Sequence, residues 1–178
     1  MCSRHNAIIG INGDYYAGRE GGIIVRNYVL YRNVTHKSVG CLYYDGTFDQ
    51  YTYDTFDLDS AMAKGLYQTM TFGPILVQGG QVLTNWTSSV STTPNPRSSF
   101  GYYEPGHYVM VVVDGRQEGY SDGLTGSELA EFMGTLGVTE AFNLDGGDSS
   151  VLYFNGQVYN RQSGVRKLSD MFIISEVG

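Results

Sequence analysis

Cysteine is nearly missing from this sequence, with only Cys2 and Cys41 in 178 residues. Two thiols so far apart build neither a disulfide scaffold nor a cysteine-rich zinc site, so both are read as free or buried and carry no chemistry. Histidine is as scarce: His5, His36 and His107 show no metal-ligand spacing. Bases are outnumbered, eleven against eighteen acids, for a net charge of -7. That balance repels a phosphate backbone, so nucleic acid is not an expected partner. No apolar run approaches the ~20 residues of a membrane span, and residues 1–6 lack a charged-then-apolar signal pattern. Proline, at four, is too rare for a Pro-rich disordered chain.

What is abundant is glycine, at 24, and tyrosine, at 15. That composition suits a turn-rich, β-containing fold, and the length suits one domain over residues 1–178 with a sizeable core. Among the bases, eight are arginine, the side chain whose fork matches carboxylate or phosphate.

Hydrophobic patterning predicts the elements. Ala7 to Ile11 reads as a buried strand ending at Asn12-Gly13, and Ile23 to Tyr31 as one strand. Gly40 to Tyr53 reads as a hairpin turning at Asp45-Gly46, whose Asp45, Asp49, Asp54, Asp57 and Asp59 lack EF-hand spacing and form a solvated acidic face. A short helix capped by Asp57 or Asp59 follows, and Phe72 to Leu83 is a hairpin through Gly79-Gly80. Residues 84–96 form a polar loop, with Trp86 either a core plug or a sugar-stacking platform. Tyr108 to Val113, the most β-prone run, is expected as a central strand. Thr125 to Glu128 has capping-box spacing, and Leu129, Phe132, Met133 and Leu136 continue a helix to Gly137. Strands are expected over Val138 to Leu144 and Met171 to Ser175, with a hairpin through Asn155-Gly156 between them. The fold class is α+β, a mixed sheet with one well-defined helix and a few short ones.

The densest polar stretch is Asn143-Leu144-Asp145-Gly146-Gly147-Asp148-Ser149-Ser150, at the end of a predicted strand. Asn143 and Asp145 alternate with Phe142 and Leu144, which puts both polar side chains on one strand face. The glycine pair permits a sharp turn or a close backbone approach. A plain Asp-Gly turn with hydroxyls satisfying its backbone would look much the same.

The order Asn-Leu-Asp-Gly-Gly-x-Ser-Ser resembles the signature of the phosphodiester glycosidase family. Further matches follow in that family's order: Ile11-Asn12-Gly13-Asp14-Tyr15-Tyr16, Phe72-Gly73-Pro74-Ile75-Leu76-Val77, Arg97-Ser98-Ser99-Phe100-Gly101, Val113-Asp114-Gly115-Arg116 and Arg166-Lys167-Leu168-Ser169-Asp170. Asp148 stands where the family commonly has Gly. Members usually carry strands ahead of the Asn-Gly element, so the resemblance implies a trimmed domain or a fragment of a longer protein. It also implies an extracytoplasmic or cell-envelope location.

The resemblance implies hydrolysis of a sugar 1-phosphodiester at its glycosidic C–O bond, plausibly in bacterial envelope or exopolysaccharide material. The departing phosphate monoester is a stable anion that needs charge neutralisation, which assigns Arg97, Arg116 and Arg166 as phosphate clamps. Positive charge at the anomeric carbon calls for a carboxylate, with Asp145 first and Asp14 and Asp114 next. Asn12 and Asn143 are assigned to sugar hydroxyls, Gly13 to the substrate or its phosphate, and Gly146, Gly147, Ser149 and Ser150 to phosphate oxygens. No cofactor is expected, although a divalent cation near Asp145 and Asp148 would suit a metal-dependent phosphodiesterase. A noncatalytic carbohydrate-binding module is the other alternative.

Overall fold

The computed structural model describes residues 2–34, 38–86 and 92–176. Within them the α+β class holds: fourteen strands form three sheets, accompanied by two α-helices and three short 3-10 helices. All named strand pairs are antiparallel, so the expected mixed sheet is instead a set of antiparallel sheets.

The first sheet joins β1 (Ala7–Asn12) to β14 (Met171–Ser175) on one side and to the hairpin of β12 (Leu152–Phe154) and β13 (Gln157–Val158) on the other. The second contains β2 (Gly22–Arg26), β3 (Val29–Val34), β4 (Ser38–Tyr43), β5 (Phe48–Thr52) and β6 (Leu66–Met70) in the order β3-β2-β6-β4-β5. The third contains β7 (Ile75–Gln78), β8 (Gln81–Val82), β9 (Arg97–Glu104), β10 (His107–Val113) and β11 (Glu140–Asn143) in the order β10-β9-β11-β7-β8. One apolar cluster draws on all three: Ile11 from the first sheet, Phe48 and Met70 from the second, and Ile75, Phe100 and Phe142 from the third. The strand ends that meet around this cluster carry the signature.

Two helices close the outer faces. α1 (Leu58–Ala63) is capped by Asp57, whose carboxylate accepts from Ser60 N, and buries Ala61 against the second sheet. α2 (Gly126–Thr135) carries both bonds of the capping box between Thr125 and Glu128. Its Leu129, Ala130 and Met133 pack on Leu76, Val77 and Ala141. Phe132, expected in the same stripe, is exposed instead. Trp86 packs at the edge of this cluster, the core-plug reading, while residues 87–91 of its loop and His36 lie outside the described residues.

Three expectations change. Ile23 to Tyr31 is a hairpin, because Asn27 and Tyr28 both take left-handed backbone (φ 51° and 68°) and turn the chain after β2. A tyrosine at positive φ gives no Asn-Gly signal from which to expect this. The run Tyr108 to Val113 lies in an edge strand, not a central one. It is apolar throughout because both faces are covered, with Tyr108, Met110 and Val112 toward the three-sheet core and Val109, Val111 and Val113 toward α2. β6 and β9 were not anticipated; β9 reads as a polar motif, Arg97-Ser98-Ser99, although Ser98 and Ser99 are buried between strands.

Candidate active site

Asp145 is held by its backbone rather than by its carboxylate. β11 ends at Asn143, Leu144 N donates to Ser98 O (2.8 Å), and Asp145 N donates to Gly13 O (3.1 Å). From the other side Asn12 Nδ2 donates to Asp145 O at 2.6 Å. Asn12 Oδ1 accepts from Ser98 Oγ (2.7 Å) and Val151 N (3.1 Å), so this one buried amide ties the start, middle and end of the chain together. Its hydrogen-bonding capacity is taken up by the protein, which leaves little for a sugar.

Beyond Asp145 the chain folds tightly against the entry to β9. A methyl group on Gly146 would lie 2.8 Å from Pro96 O, and Gly147 N donates to that same oxygen at 2.9 Å. Gly147 has φ +61°, and its α-carbon faces the Arg116 guanidinium, 3.1 Å from where a Cβ would stand. Both positions therefore require glycine, one for close approach and one for backbone conformation. Their amides are occupied, Gly146 N by Asp145 Oδ1 (3.0 Å) and Gly147 N by Pro96 O, so they are not available to phosphate.

The three candidate carboxylates are now distinguishable. Asp14 is buried and accepts from Thr71 N, Thr71 Oγ1 and Phe72 N at 2.9–3.2 Å, with Arg26 Nη2 at 3.5 Å. Burial, and then the neighbouring Asp170 carboxylate, push its pKa up to about 6, against the opposing pull of Arg26 and the two amides. Asp114 bridges two loops by accepting from Asn160 Nδ2, Tyr120 Oη and Arg161 N, each at 3.0 Å. Among the described residues Asp145 accepts only from its neighbour Gly146 N, with the Ser149 hydroxyl close by but outside full hydrogen-bond geometry. Burial raises its pKa, while Ser149, Arg166, Gly146 N and Arg19 oppose the rise. It is thus a largely buried carboxyl with two arginines in electrostatic reach and its acceptor sites mostly unused.

The arginines divide in a similar way. Arg97 is buried and donates through Nε to Leu124 O and through Nη2 to Thr93 O, both at 2.8 Å. Burial and the nearby Arg116 lower its pKa. These backbone partners make it a brace for the entry to β9. Arg116 stands at φ +57° and reaches over Gly147, with Nε on Asn95 Oδ1 (2.9 Å) and Nη1 on Asp148 Oδ1 (3.2 Å). Arg166 is exposed and lies over the Tyr15 ring, 4.5 Å from its centroid. Arg19, in none of the candidate sets drawn from the sequence, lies over Phe72 at 4.2 Å. Its position just beyond the Asn-Gly-x-aromatic-aromatic element was the available clue.

Three buried oxygens in the signature, Asn143 Oδ1, Ser149 Oγ and Ser150 Oγ, lack a hydrogen-bond partner among the described residues. Asn143 Nδ2 donates to Gly73 O (2.8 Å), which leaves that amide's acceptor side unused. Ser38 Oγ, Gln50 Oε1 and Gln68 Oε1 are in the same state elsewhere among the described residues, so the signature stands out by holding three such oxygens close together in sequence. Asp148 faces Arg116 and Ser163, and no grouping of three or more metal-type ligands occurs among the described residues.

The segments around Asn12, Arg97, Arg116, Asn143, Asp145 and Arg166 therefore gather at one end of the sheets. Asp114 belongs to the same end through Asn160, whose Nδ2 also donates to Ser150 O (3.2 Å). Comparison with known proteins bears on the fold and the family. The chain is 28% identical to the SPbeta prophage-derived uncharacterized protein YomE of Bacillus subtilis (strain 168), over 92% of this chain and 27% of that protein. It superposes on the catalytic domain of zebrafish N-acetylglucosamine-1-phosphodiester alpha-N-acetylglucosaminidase, described as auto-inhibited by its pro-peptide. That match has a TM-score of 0.80 and 21% identity, covering 99% of this chain and 66% of that one. A hypothetical protein from Synechocystis matches with a TM-score of 0.64 and 14% identity, over 97% and 53% of the two chains. The chain thus spans about a quarter of the Bacillus protein's length and just under two thirds of the zebrafish domain. The phosphodiester glycosidase family model matches residues 5–175, and the chain belongs to that family.

Proposed function

We propose that this chain is a glycosidase-type hydrolase that cleaves the bond between an anomeric carbon and a phosphodiester oxygen. Asp145 carries the proposal: a buried carboxyl, its acceptor sites mostly unused, with Arg19 and Arg166 in electrostatic reach and Arg116 over the adjoining Gly147. As the C–O bond breaks, its electron pair leaves with the phosphate, and positive charge grows at the anomeric carbon. A carboxylate there stabilises the developing cation. Arg116 and Arg166 neutralise the departing phosphomonoester, which needs charge more than a proton. Water then adds hydroxide to the carbon, its proton is released, and free sugar results. In this reading Asn143 Oδ1 accepts from a substrate hydroxyl, and Ser149 Oγ and Ser150 Oγ serve substrate hydroxyls or phosphate oxygens, a role in keeping with their lack of a partner among the described residues.

The proposed substrate is a sugar linked through phosphate in bacterial envelope or exopolysaccharide material, met outside the cytoplasm. A prophage-derived relative is in keeping with a target on a bacterial surface. No described helix is long and apolar enough to cross a membrane. The test is incubation with UDP-N-acetylglucosamine and with a synthetic sugar phosphodiester, with and without a chelator. Free sugar in both conditions is expected. Sugar phosphate, lost on chelation, would instead support a metal-dependent phosphodiesterase, and binding without turnover would support a carbohydrate-binding module.

A further inference from the structure

A cleft of about 340 Å³ lies on the second sheet, lined by Tyr16, Ile24, Arg26, Tyr31 and Arg32, a volume in the range of small-molecule sites. Its shape comes from a β-bulge. Ile24 pairs with Arg32 and Val25 with Leu30, so Tyr31 is the extra residue on β3. In a regular strand Tyr31 and Arg32 would point to opposite faces; here both line one cleft, as bulges allow.

The two guanidiniums differ in how they are neutralised. Arg26 forms ion pairs with Asp14 and Asp170. Arg32 bonds through Nη1 to the carbonyls of Tyr16 (3.1 Å), Arg19 (2.6 Å) and Gly21 (3.4 Å), which are neutral. No carboxylate pairs with it among the described residues, and its Nε and Nη2 make no bond there. Tyr31, 69% exposed, adds an aromatic surface to the cleft. A cation without a counter-ion beside an aromatic surface is the chemistry that receives a phosphorylated sugar, with the ring stacked and the phosphate on the arginine fork.

The position ties this cleft to the Asp145 site. The loop between β1 and β2 contributes Tyr16 to the cleft, while its Tyr15 lies beneath Arg166 and its Arg19 acts on Asp145. The carbonyls of Tyr16 and Arg19 are the ones that Arg32 holds. We infer that the cleft is a second subsite, which takes a neighbouring phosphate-bearing sugar unit of the same polymer whose linkage is cut at Asp145. This rests on the glycosidase reading for its role, but not for its existence.

The test is binding of glucose 6-phosphate, which carries ring and phosphate but no glycosyl phosphodiester, to the whole chain carrying Asp145→Asn. NMR shift mapping should place perturbations on Tyr16, Tyr31 and Arg32. Tyr31→Ser, at an exposed side chain, should weaken binding there by about tenfold. Arg32→Lys, which keeps a cation for the loop carbonyls, should weaken it comparably, and glucose alone and inorganic phosphate alone should each bind more weakly. Absence of perturbation at the cleft, or equal affinity in wild type and Tyr31→Ser, overturns the subsite even where sugar release is intact. Inorganic phosphate as tight as the sugar phosphate would also overturn it, as an adventitious anion only. Cleft binding in a protein that releases no sugar from any phosphodiester would uphold the subsite and sink the glycosidase reading.

Discussion

The chemistry of single residues is sharpest at Asp145. Because its backbone, not its carboxylate, ties β11 to β1, Asp145→Asn should melt close to wild type while kcat for sugar release falls by at least ~100-fold. A destabilised but fully active variant would refute the assignment. Burial already raises this carboxyl's pKa, and Arg166 opposes the rise. Removing that cation in Arg166→Gln should raise it further, so the acidic limb of kcat/KM moves to higher pH, the charged form being the active one. An unmoved limb would mean that another group titrates. Cys41 has no comparable role: buried with its pKa pushed up to about 12, it stays a protonated thiol.

Where elements meet, the polar residues of the matched motifs serve to hold strand ends together. Asn12→Ala would leave Asp145 O, Ser98 Oγ and Val151 N without their partner, at a cost of about 2–4 kcal/mol. Chemical denaturation should show that loss before any kinetic defect is interpreted. Arg97 belongs to the same class. Its Nε and Nη2 hold the carbonyls of Leu124 and Thr93, a geometry that a lysine cannot reproduce. Arg97→Lys is therefore expected to lose stability together with activity, and the clean active-site loss that a phosphate clamp predicts is not expected. A variant that melts like wild type but turns over poorly would return Arg97 to the phosphate.

For the whole molecule, stability should carry the mark of Asp14, whose contacts reach Thr71 and Phe72 just past β6, Arg26 of β2 and Asp170 just ahead of β14. Its native pKa of about 6 exceeds the usual 3.8, so the folded protein binds this proton more tightly than the unfolded chain. The stabilisation is full below about pH 4 and is lost as pH rises through 6, a loss of about 3 kcal/mol from this group alone. Thermal melts of wild type and Asp14→Asn across pH 4–7 should differ in slope in that sense. Parallel curves would show that Asp14 titrates normally.

Much of this fold could be read locally. The Asp45-Gly46 and Asn155-Gly156 hairpins, the Thr125 to Glu128 capping box and the turn after Leu144 rest on residues within a few positions of each other, whose backbone preferences hold in any context. The Asn-Leu-Asp-Gly-Gly stretch likewise stands out locally, as the densest run of polar residues in the chain. What tertiary structure alone decided is which polar side chains are left over. Sequence ranks Asp145 ahead of Asp14 and Asp114 and sets Asn12 toward the sugar and Arg97 toward the phosphate, yet the partners that absorb these last four come from other strands and loops, such as Thr71 for Asp14 and Asn160 for Asp114. A hydrogen-bonding group is absorbed or spared only when the distant donors close around it, and neither composition nor spacing encodes that closure.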